Sequence, residues 1–198
     1  METKELILKN ALDMFAKSGY NAVSIRDIAK AVNIKESSIY YHFKNKQDIL
    51  DSLVEQYEGH IRELTDMLQI SMSELQNVSA FSWDWMRKYY FEQYLFDPFC
   101  NQMMRLMMLE QFHNEKINAL YEHYLFELPQ QIQVGTFMML ARLGMMSEQQ
   151  AKRSGKDFFV NMSMLSFKYL LNGELTKEKK DAFVEEVFSY ISGIFGEG

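Results

Sequence analysis

The chain has 198 residues, of which 47% are hydrophobic and 24% charged, a balance that is typical of a folded core and excludes general disorder. Its single cysteine, Cys100, excludes an internal disulfide, no apolar stretch is long enough to span a bilayer, and the charged first ten residues are unlike a secretory signal. We therefore expect a cytoplasmic protein that contacts no membrane.

The formal net charge of −6 is unevenly distributed along the chain. Residues 1–50 carry eight lysines and arginines against six acids, whereas the remaining residues carry thirteen against twenty-one. A mildly basic head therefore precedes an acidic body. This asymmetry indicates that the head is the part that meets a polyanion such as nucleic acid.

The head begins with two predicted helices. The first is predicted over residues 3–18, where apolar residues such as Leu8 and Leu12 recur at helical spacing. Gly19 follows the last periodic residue and is expected to end this helix in a left-handed conformation. Ser24 is the expected N-cap of a second, short helix.

A turn and two further helices follow. Asn33 stands where the chain must turn, and asparagine tolerates a positive φ better than most residues. A third helix is predicted over residues 35–42, with Ile39 and Phe43 as its apolar anchors. Near Lys46 a long helix begins, and no linker-like composition interrupts it. Its apolar stripe is Leu50, Leu53, Tyr57, Ile61, Leu64 and Leu68.

The rest of the chain also shows helical patterns and no alternation typical of strands. The predicted fold is therefore all-α, with a three-helix head joined by the long helix to a larger helical body. Further helices are predicted over residues 79–95, 98–112, 115–127, 129–144, 147–153, 156–172 and 177–195.

The third helix presents polar side chains that suit DNA. Two apolar anchors leave most of its residues facing outward, and their donors and acceptors match base edges and phosphates. Helix, tight turn and exposed polar helix together predict a helix-turn-helix that docks in the major groove. Tyr40 could instead belong partly to the core, and Ser37 and Ser38 could simply start the helix. The predicted DNA-binding residues are Arg26, Lys35, Ser37, Ser38, Tyr40, Tyr41, His42 and Lys46.

The segment from Leu6 to Leu50 resembles the DNA-binding head of the TetR family of bacterial transcriptional repressors. Asn33 stands where the family commonly has glycine, and Ser24 stands where threonine is usual. Asparagine, like glycine, tolerates the turn conformation, and serine keeps the capping oxygen that threonine would supply. The matching elements are Phe15, Ala16, Gly19 and Tyr20 at the end of the first helix, then Ser24–Ala29, Ser38–Lys46 and the helix start at Asp48–Leu50.

This resemblance implies a DNA-binding domain over residues 1–46 and a ligand-binding and dimerisation domain over 47–198. Such a protein would bind a palindromic operator in double-stranded DNA as a homodimer, and a hydrophobic or aromatic small-molecule effector would release it. An activator, or a regulator controlled by a protein partner, is the alternative. The resemblance implies no cofactor and no metal ion.

The last two long helices carry apolar stripes that the resemblance assigns to the dimer interface. The alternative is that both stripes face the chain's own core. The predicted dimerisation residues are Phe158, Met162, Leu165, Tyr169, Phe183, Val187, Tyr190, Ile191 and Ile194.

The middle helices are rich in methionine and aromatic residues, which suit flat or greasy ligands. Asp84, Glu92 and Glu110 lie nearby, so that a lipophilic cation and an acyl chain are equally conceivable effectors. The predicted ligand-binding residues are Trp83, Met86, Tyr90, Tyr94, Met104, Met107, Met108, Phe112 and Phe137.

An enzyme is the competing class of function. The four histidines show no metal-binding spacing, and the nucleophile-elbow, phosphate-loop and dinucleotide motifs are absent from the sequence. Cys100, beside Pro98 and Phe99, reads as a buried small hydrophobe. We therefore expect a regulator and not an enzyme.

Overall fold

The computed structural model describes residues 2–73 and 86–195, and within these ranges the chain is helical and forms no β-strand. The all-α prediction is confirmed. Within the same ranges, no helix combines the length and the apolar character needed to cross a membrane. The α-helices are α1 (Thr3–Ser18), α2 (Ile25–Val32), α3 (Glu36–His42), α4 (Lys46–Ser73), α5 (Pro98–Glu110), α6 (Glu115–Glu122), α7 (Leu128–Arg142), α8 (Glu148–Leu165) and α9 (Lys177–Phe195).

Three segments of the described ranges are π-helical. Met86–Leu95 precedes α5, His123–Glu127 continues α6 into α7, and Ser166–Leu170 continues α8. The helix predicted over residues 79–95 is thus described from residue 86 onward.

The chain divides into two compact units. Unit 1 comprises Met1–Glu63 and Pro98–Tyr121, and unit 2 comprises Leu64–Asp97 and Glu122–Gly198. Helix α5 therefore packs in the same unit as the three head helices. The predicted division of functions between residues 46 and 47 stays a prediction.

The predicted start and stop positions of the head helices are confirmed, although Gly19 combines its positive φ with a ψ of 156° and does not take the left-handed helical conformation expected of it. Helix α1 ends at Gly19, which has a φ of +82°, and α2 ends at Asn33, which has a φ of +59°. Ser24 caps α2, because its hydroxyl accepts from the backbone N–H of Asp27 at 3.2 Å while the Asp27 carboxylate accepts from the Ser24 N–H at 2.9 Å. Three helix ends of the head are thus fixed by local chemistry.

The prediction of a break near residue 154 was wrong, because α8 runs without interruption from Glu148 to Leu165. Gly155 lies buried inside this helix, and a Cβ there would be 2.8 Å from the Cα of Val134 on α7. The glycine therefore allows a close approach of two helices. This packing outweighs the weak helix propensity of glycine.

The interior of unit 2 is built from aromatic rings. Phe91 lies 5.3 Å from Phe183 and 5.8 Å from Phe96, measured between ring centroids. Phe96 and Phe183 are 5.8 Å apart, and the Phe188 ring lies 6.4 Å from Phe91. These edge and tilted contacts join the π-helical segment Met86–Leu95 to α9.

Candidate nucleic-acid interface

Helix α3 packs against the protein core with one face and exposes its other face to solvent. Ile39 and Phe43 are buried, and the backbone N–H of Phe43 donates to the Ile39 carbonyl to close the helix. Tyr41 is 86% exposed and Tyr40 is 55% exposed. The exposure of Tyr40 favours its reading as a surface residue over its reading as core.

The remaining predicted contact residues of α2 and α3 also reach the surface. Arg26, Lys35 and Ser37 are exposed, whereas Ser38 and His42 are half-buried. The His42 ring lies edge-on to the Tyr41 ring with centroids 5.1 Å apart, which limits the directions in which both side chains point. The structure thus brings cationic, hydroxyl and phenol groups together on one short helix and its predecessor.

Lys46 has a more internal role than its predicted phosphate contact. Its Nζ donates to the backbone carbonyl of Tyr20 at 2.8 Å and to that of Val23 at 2.7 Å, and it lies 4.1 Å from the centroid of the Tyr20 ring. Burial lowers the pKa of Lys46, while the negative charge of Glu110 opposes that shift. Two of three ammonium donors are thus used within the protein, which leaves one for a phosphate.

The start of α4 is held by a reciprocal pair of hydrogen bonds. The Asn45 side-chain oxygen accepts from the backbone N–H of Asp48 at 2.9 Å, and the Asp48 carboxylate accepts from that of Lys44 at 2.8 Å. These bonds satisfy one donor in the first turn of α4 and one donor just before the helix. They fix the short connection between α3 and α4.

Glu110 is a residue that sequence reasoning placed elsewhere. It had been grouped with Asp84 and Glu92 as a partner for a cationic effector, but its carboxylate Oε1 accepts a hydrogen bond from the backbone N–H of Tyr20 at 2.8 Å. Glu92 is exposed, and Asp84 lies outside the described residues. One signal pointed to Glu110: it follows Met103 and Met107 at helical spacing, so that a carboxylate occupies a position on the buried face of α5.

The predicted ligand-binding residues divide between the two units. In unit 2, Met86, Tyr90, Tyr94 and Phe137 are buried; in unit 1, Met104 and Met107 are buried, Met108 is half-buried and Phe112 is 84% exposed. Trp83 lies outside the described residues. The role of these residues in ligand binding stays a prediction.

Tyr90 is part of a buried polar pair in unit 2. Burial raises its pKa to about 12, and a hydrogen bond with the Gln133 side chain opposes that rise. Gln133 and the neighbouring Thr136 are themselves buried, and the Thr136 hydroxyl donates to the Ile132 carbonyl at 2.9 Å. Unit 2 thus encloses neutral hydrogen-bonding groups among its rings.

The structure assigns most of the predicted dimerisation residues to the chain's own core. Tyr169, Tyr190 and Ile194 are half-buried. The apolar residues that α8 leaves on its surface are Val160 and Met164. The buried members are Phe158, Met162, Leu165, Phe183, Val187 and Ile191.

A short helix that is anchored on one face and polar on the other, preceded by a capped helix and a left-handed turn, defines a helix-turn-helix protein. Residues 7–53 match the profile of the bacterial regulatory proteins of the tetR family. This match covers about a quarter of the chain, and it assigns to that segment a DNA-binding head similar to that of the tetR family.

A curated relative supports this assignment. The chain is similar to the biofilm operon icaADBC HTH-type negative transcriptional regulator IcaR of Staphylococcus aureus strain Newman, with 37% identity over 94 residues. The match covers 48% of this chain and 46% of the relative, so the chain spans about half the length of the curated relative that it matches.

Solved structures share the fold along nearly the whole chain. A transcriptional regulator from Saccharomonospora viridis in complex with choline has a TM-score of 0.67 at 20% identity, covering 96% of this chain and 95% of that one. The fatty acid degradation regulator FadR from Bacillus halodurans has a TM-score of 0.58 at 18% identity, with the same two coverages of 96% and 95%. At these identities the likeness concerns the fold.

Proposed function

We propose that the chain represses transcription by binding a palindromic operator in double-stranded DNA as a homodimer. The observation that supports this most strongly is the surface of α3, where Tyr40 and Tyr41 stand in solvent above the anchors Ile39 and Phe43. Large aromatic side chains at such exposure gain nothing from the protein's own core. A phosphate or a base edge is the partner that their hydroxyl groups fit.

The proposed contacts divide into two kinds. Arg26 in the first turn of α2 and Lys35 at the start of α3 are proposed to neutralise phosphates on either side of the major groove. Tyr41, His42 and Ser37 are proposed to reach sugars and base edges within it. The Lys46 ammonium donates two hydrogen bonds within the protein, and its third donor is proposed to bind a phosphate of the DNA backbone.

The homodimer is proposed to pair through α8 and α9. Met164 is 64% exposed and Val160 is 57% exposed, which is unusual for apolar side chains one turn apart on the same helix face. Together with the half-buried Tyr190 and Ile194, they offer the apolar material that an interface core needs. The dimer would place two copies of α3 about one helical turn of DNA apart, roughly 34–36 Å.

The effector is proposed to be a hydrophobic or aromatic small molecule that binds the body. The methionine and aromatic content of α5 and of the segment Met86–Leu95 supports an adaptable apolar site. The two solved structures of the same fold suggest the classes to compare, a quaternary ammonium compound such as choline and a fatty acyl chain. A true effector would raise the melting temperature of the protein and lower its affinity for operator DNA.

Operator binding is tested by fluorescence anisotropy with labelled DNA from the region upstream of the gene, across a range of salt concentrations. We expect Arg26→Ala to weaken binding and to reduce the slope of log K against log[salt] by about one for each head. Tyr41→Ala should weaken binding about tenfold with an unchanged melting temperature. Lys152→Ala, at an exposed lysine on α8, is the matched control. Failure of the wild-type protein to form a sequence-specific complex at low salt would overturn the proposal.

A further inference from the structure

Glu110 is the last residue of α5, and its carboxylate stands in an unfavourable place. It is 6% exposed, although a buried charge costs free energy unless it is paired. It also lies at the carbonyl end of its own helix, where the macrodipole disfavours a negative charge. A residue that conflicts with two general rules is expected to serve a purpose beyond packing.

The position of Glu110 is fixed by the turn that follows it. Its backbone carbonyl accepts from the N–H groups of His113 at 2.9 Å and of Asn114 at 3.1 Å. The Asn114 side chain in turn accepts from the Ile117 N–H at 3.2 Å, which starts α6. The carboxylate is therefore held at the junction of α5 and α6.

The loop between α1 and α2 is built to receive this carboxylate. Glu110 Oε1 accepts from the Tyr20 N–H at 2.8 Å, and a Cβ on Gly19 would lie 2.9 Å from the same oxygen. Gly19 therefore has two reasons to be glycine, its φ of +82° and the closeness of the Glu110 side chain.

A second chain of contacts connects the same loop to α4 and α6. The Tyr20 hydroxyl donates to the Gln47 side chain at 3.3 Å, and Gln47 Nε2 donates to Asp51 at 3.2 Å. The Asp51 carboxylate also pairs with Lys116, in the first turn of α6, at 3.0 Å. The junction of α5 and α6 thus holds Tyr20 directly through Glu110 and indirectly through α4.

The loop that Glu110 holds leads directly into the helix-turn-helix. Lys46 fixes the carbonyls of Tyr20 and Val23, and the next residue, Ser24, caps α2. We propose that Glu110 is a positioning residue for DNA binding: its carboxylate sets the orientation of the loop over residues 19–23 and thereby that of α2 and α3. This inference rests on the proposed function, and it adds a residue ninety positions away in sequence that touches no DNA.

The proposal is tested with Glu110→Ala and Glu110→Gln, and with Glu55→Gln on the exposed face of α4 as the control for lost charge. For Glu110→Ala we expect operator affinity to fall roughly tenfold, because a hydrogen bond to a charged acceptor is lost. The salt slope should stay unchanged, since no phosphate contact is removed. Glu110→Gln keeps an acceptor oxygen and should recover most of the affinity, and Glu55→Gln should behave as wild type.

Hydrogen exchange at the Tyr20 amide gives a readout that does not depend on DNA. We expect this amide to exchange about tenfold faster in Glu110→Ala, while amides in the middle of α1 keep their rates. In a double-mutant cycle with Gly19→Ala, removal of Glu110 should cost less than about threefold in affinity, because the added methyl group already displaces the carboxylate.

The outcomes separate this proposal from the proposed function. Wild-type affinity in a folded Glu110→Ala protein would overturn the positioning role alone, as would additive effects in the cycle. A reduced salt slope would overturn it as well, because it would make Glu110 part of the phosphate contact network. Absence of any operator binding by the wild-type protein would overturn both proposals.

Discussion

Each of the two compact units of this chain is stabilised internally by a different chemistry. In unit 1, charged side chains bind the main chain: Lys46 donates to two carbonyls and Glu110 accepts from an amide. In unit 2, rings pack on rings around neutral polar groups such as the Tyr90–Gln133 pair. Charged hydrogen bonds are directional and fix the geometry of a loop, whereas aromatic contacts tolerate adjustment. The unit whose surface is proposed to read DNA is thus the one with the more directional contacts.

The largest expected effect tests whether aromatic packing stabilises unit 2. Phe183→Ala removes a ring that is fully buried and contacts both Phe91 and Phe96. We expect the free energy of unfolding to fall by about 3–5 kcal/mol, because a cavity remains. Urea denaturation followed by circular dichroism measures it, with Met145→Ala in the same unit as a control that should cost below about 1 kcal/mol. Equal losses for both variants would contradict the account of unit 2.

The next largest effect tests whether hydrogen bonds from a charged side chain stabilise unit 1. Lys46→Met keeps the length of the side chain but leaves the carbonyls of Tyr20 and Val23 without their ammonium donor. We expect a loss of about 1.5–3 kcal/mol in the same denaturation experiment. Lys44→Met, at the exposed lysine two positions earlier, should change stability by less than about 0.5 kcal/mol. A loss for Lys44→Met as large as that for Lys46→Met would show that these carbonyls do not matter.

Substituting two glycines of unit 2 by alanine is expected to change the stability of the protein in opposite directions. Gly155→Ala places a methyl group 2.8 Å from the Cα of Val134 and should destabilise the protein by about 1–3 kcal/mol. Gly135→Ala meets no atom within 4 Å and should stabilise α7 by about 0.5–1 kcal/mol. Thermal denaturation of the two variants measures both signs. A stabilising Gly155→Ala would mean that α7 and α8 separate at little cost.

The smallest effect concerns the pH dependence of the head. Hydrogen bonds from Ser24 lower the pKa of Asp27 below its ordinary value of 3.8. The resulting stability is fully present above that value and disappears as the pH falls through the lower folded-state pKa. Asp27→Asn should therefore flatten the acid side of the stability profile, which denaturation between pH 2 and 6 would reveal. Asp66→Asn, at an exposed acid of α4, should leave the wild-type slope, and an equal flattening there would refute the assignment.

Local signals predicted the head well. Gly19, Ser24 and Asn33 act through their own backbone and side-chain chemistry, so that a single sequence was enough to place the ends of α1 and α2. The exposure of Tyr41 also followed from the anchor positions Ile39 and Phe43. These features depend on residues a few positions apart, which is the distance over which helical periodicity carries information.

Tertiary contacts account for what the sequence did not predict. The sequence predicted two helices, over 147–153 and 156–172, where α8 is continuous, because the close packing of Gly155 against α7 depends on a distant part of the chain. The carboxylate of Glu110 was taken for an effector group because its partner lies ninety residues earlier. Similarly, the apolar stripes of α8 and α9 did not reveal which residues face the chain's own core, since a helix that packs inside a chain and one that packs against a partner require the same periodicity.

The bond between Glu110 and Tyr20 also bears on how chains of this fold can be recombined. A chimaera that joined residues 2–46 to the body of another regulator would keep α1, α2 and α3 but lose the acceptor for the Tyr20 amide. The transplanted head would then have the correct reading surface on a loosely held loop. The proposed role of Glu110 therefore predicts that a graft binds DNA more tightly when a carboxylate at the end of α5 is carried together with the head, even though the two are far apart in the sequence.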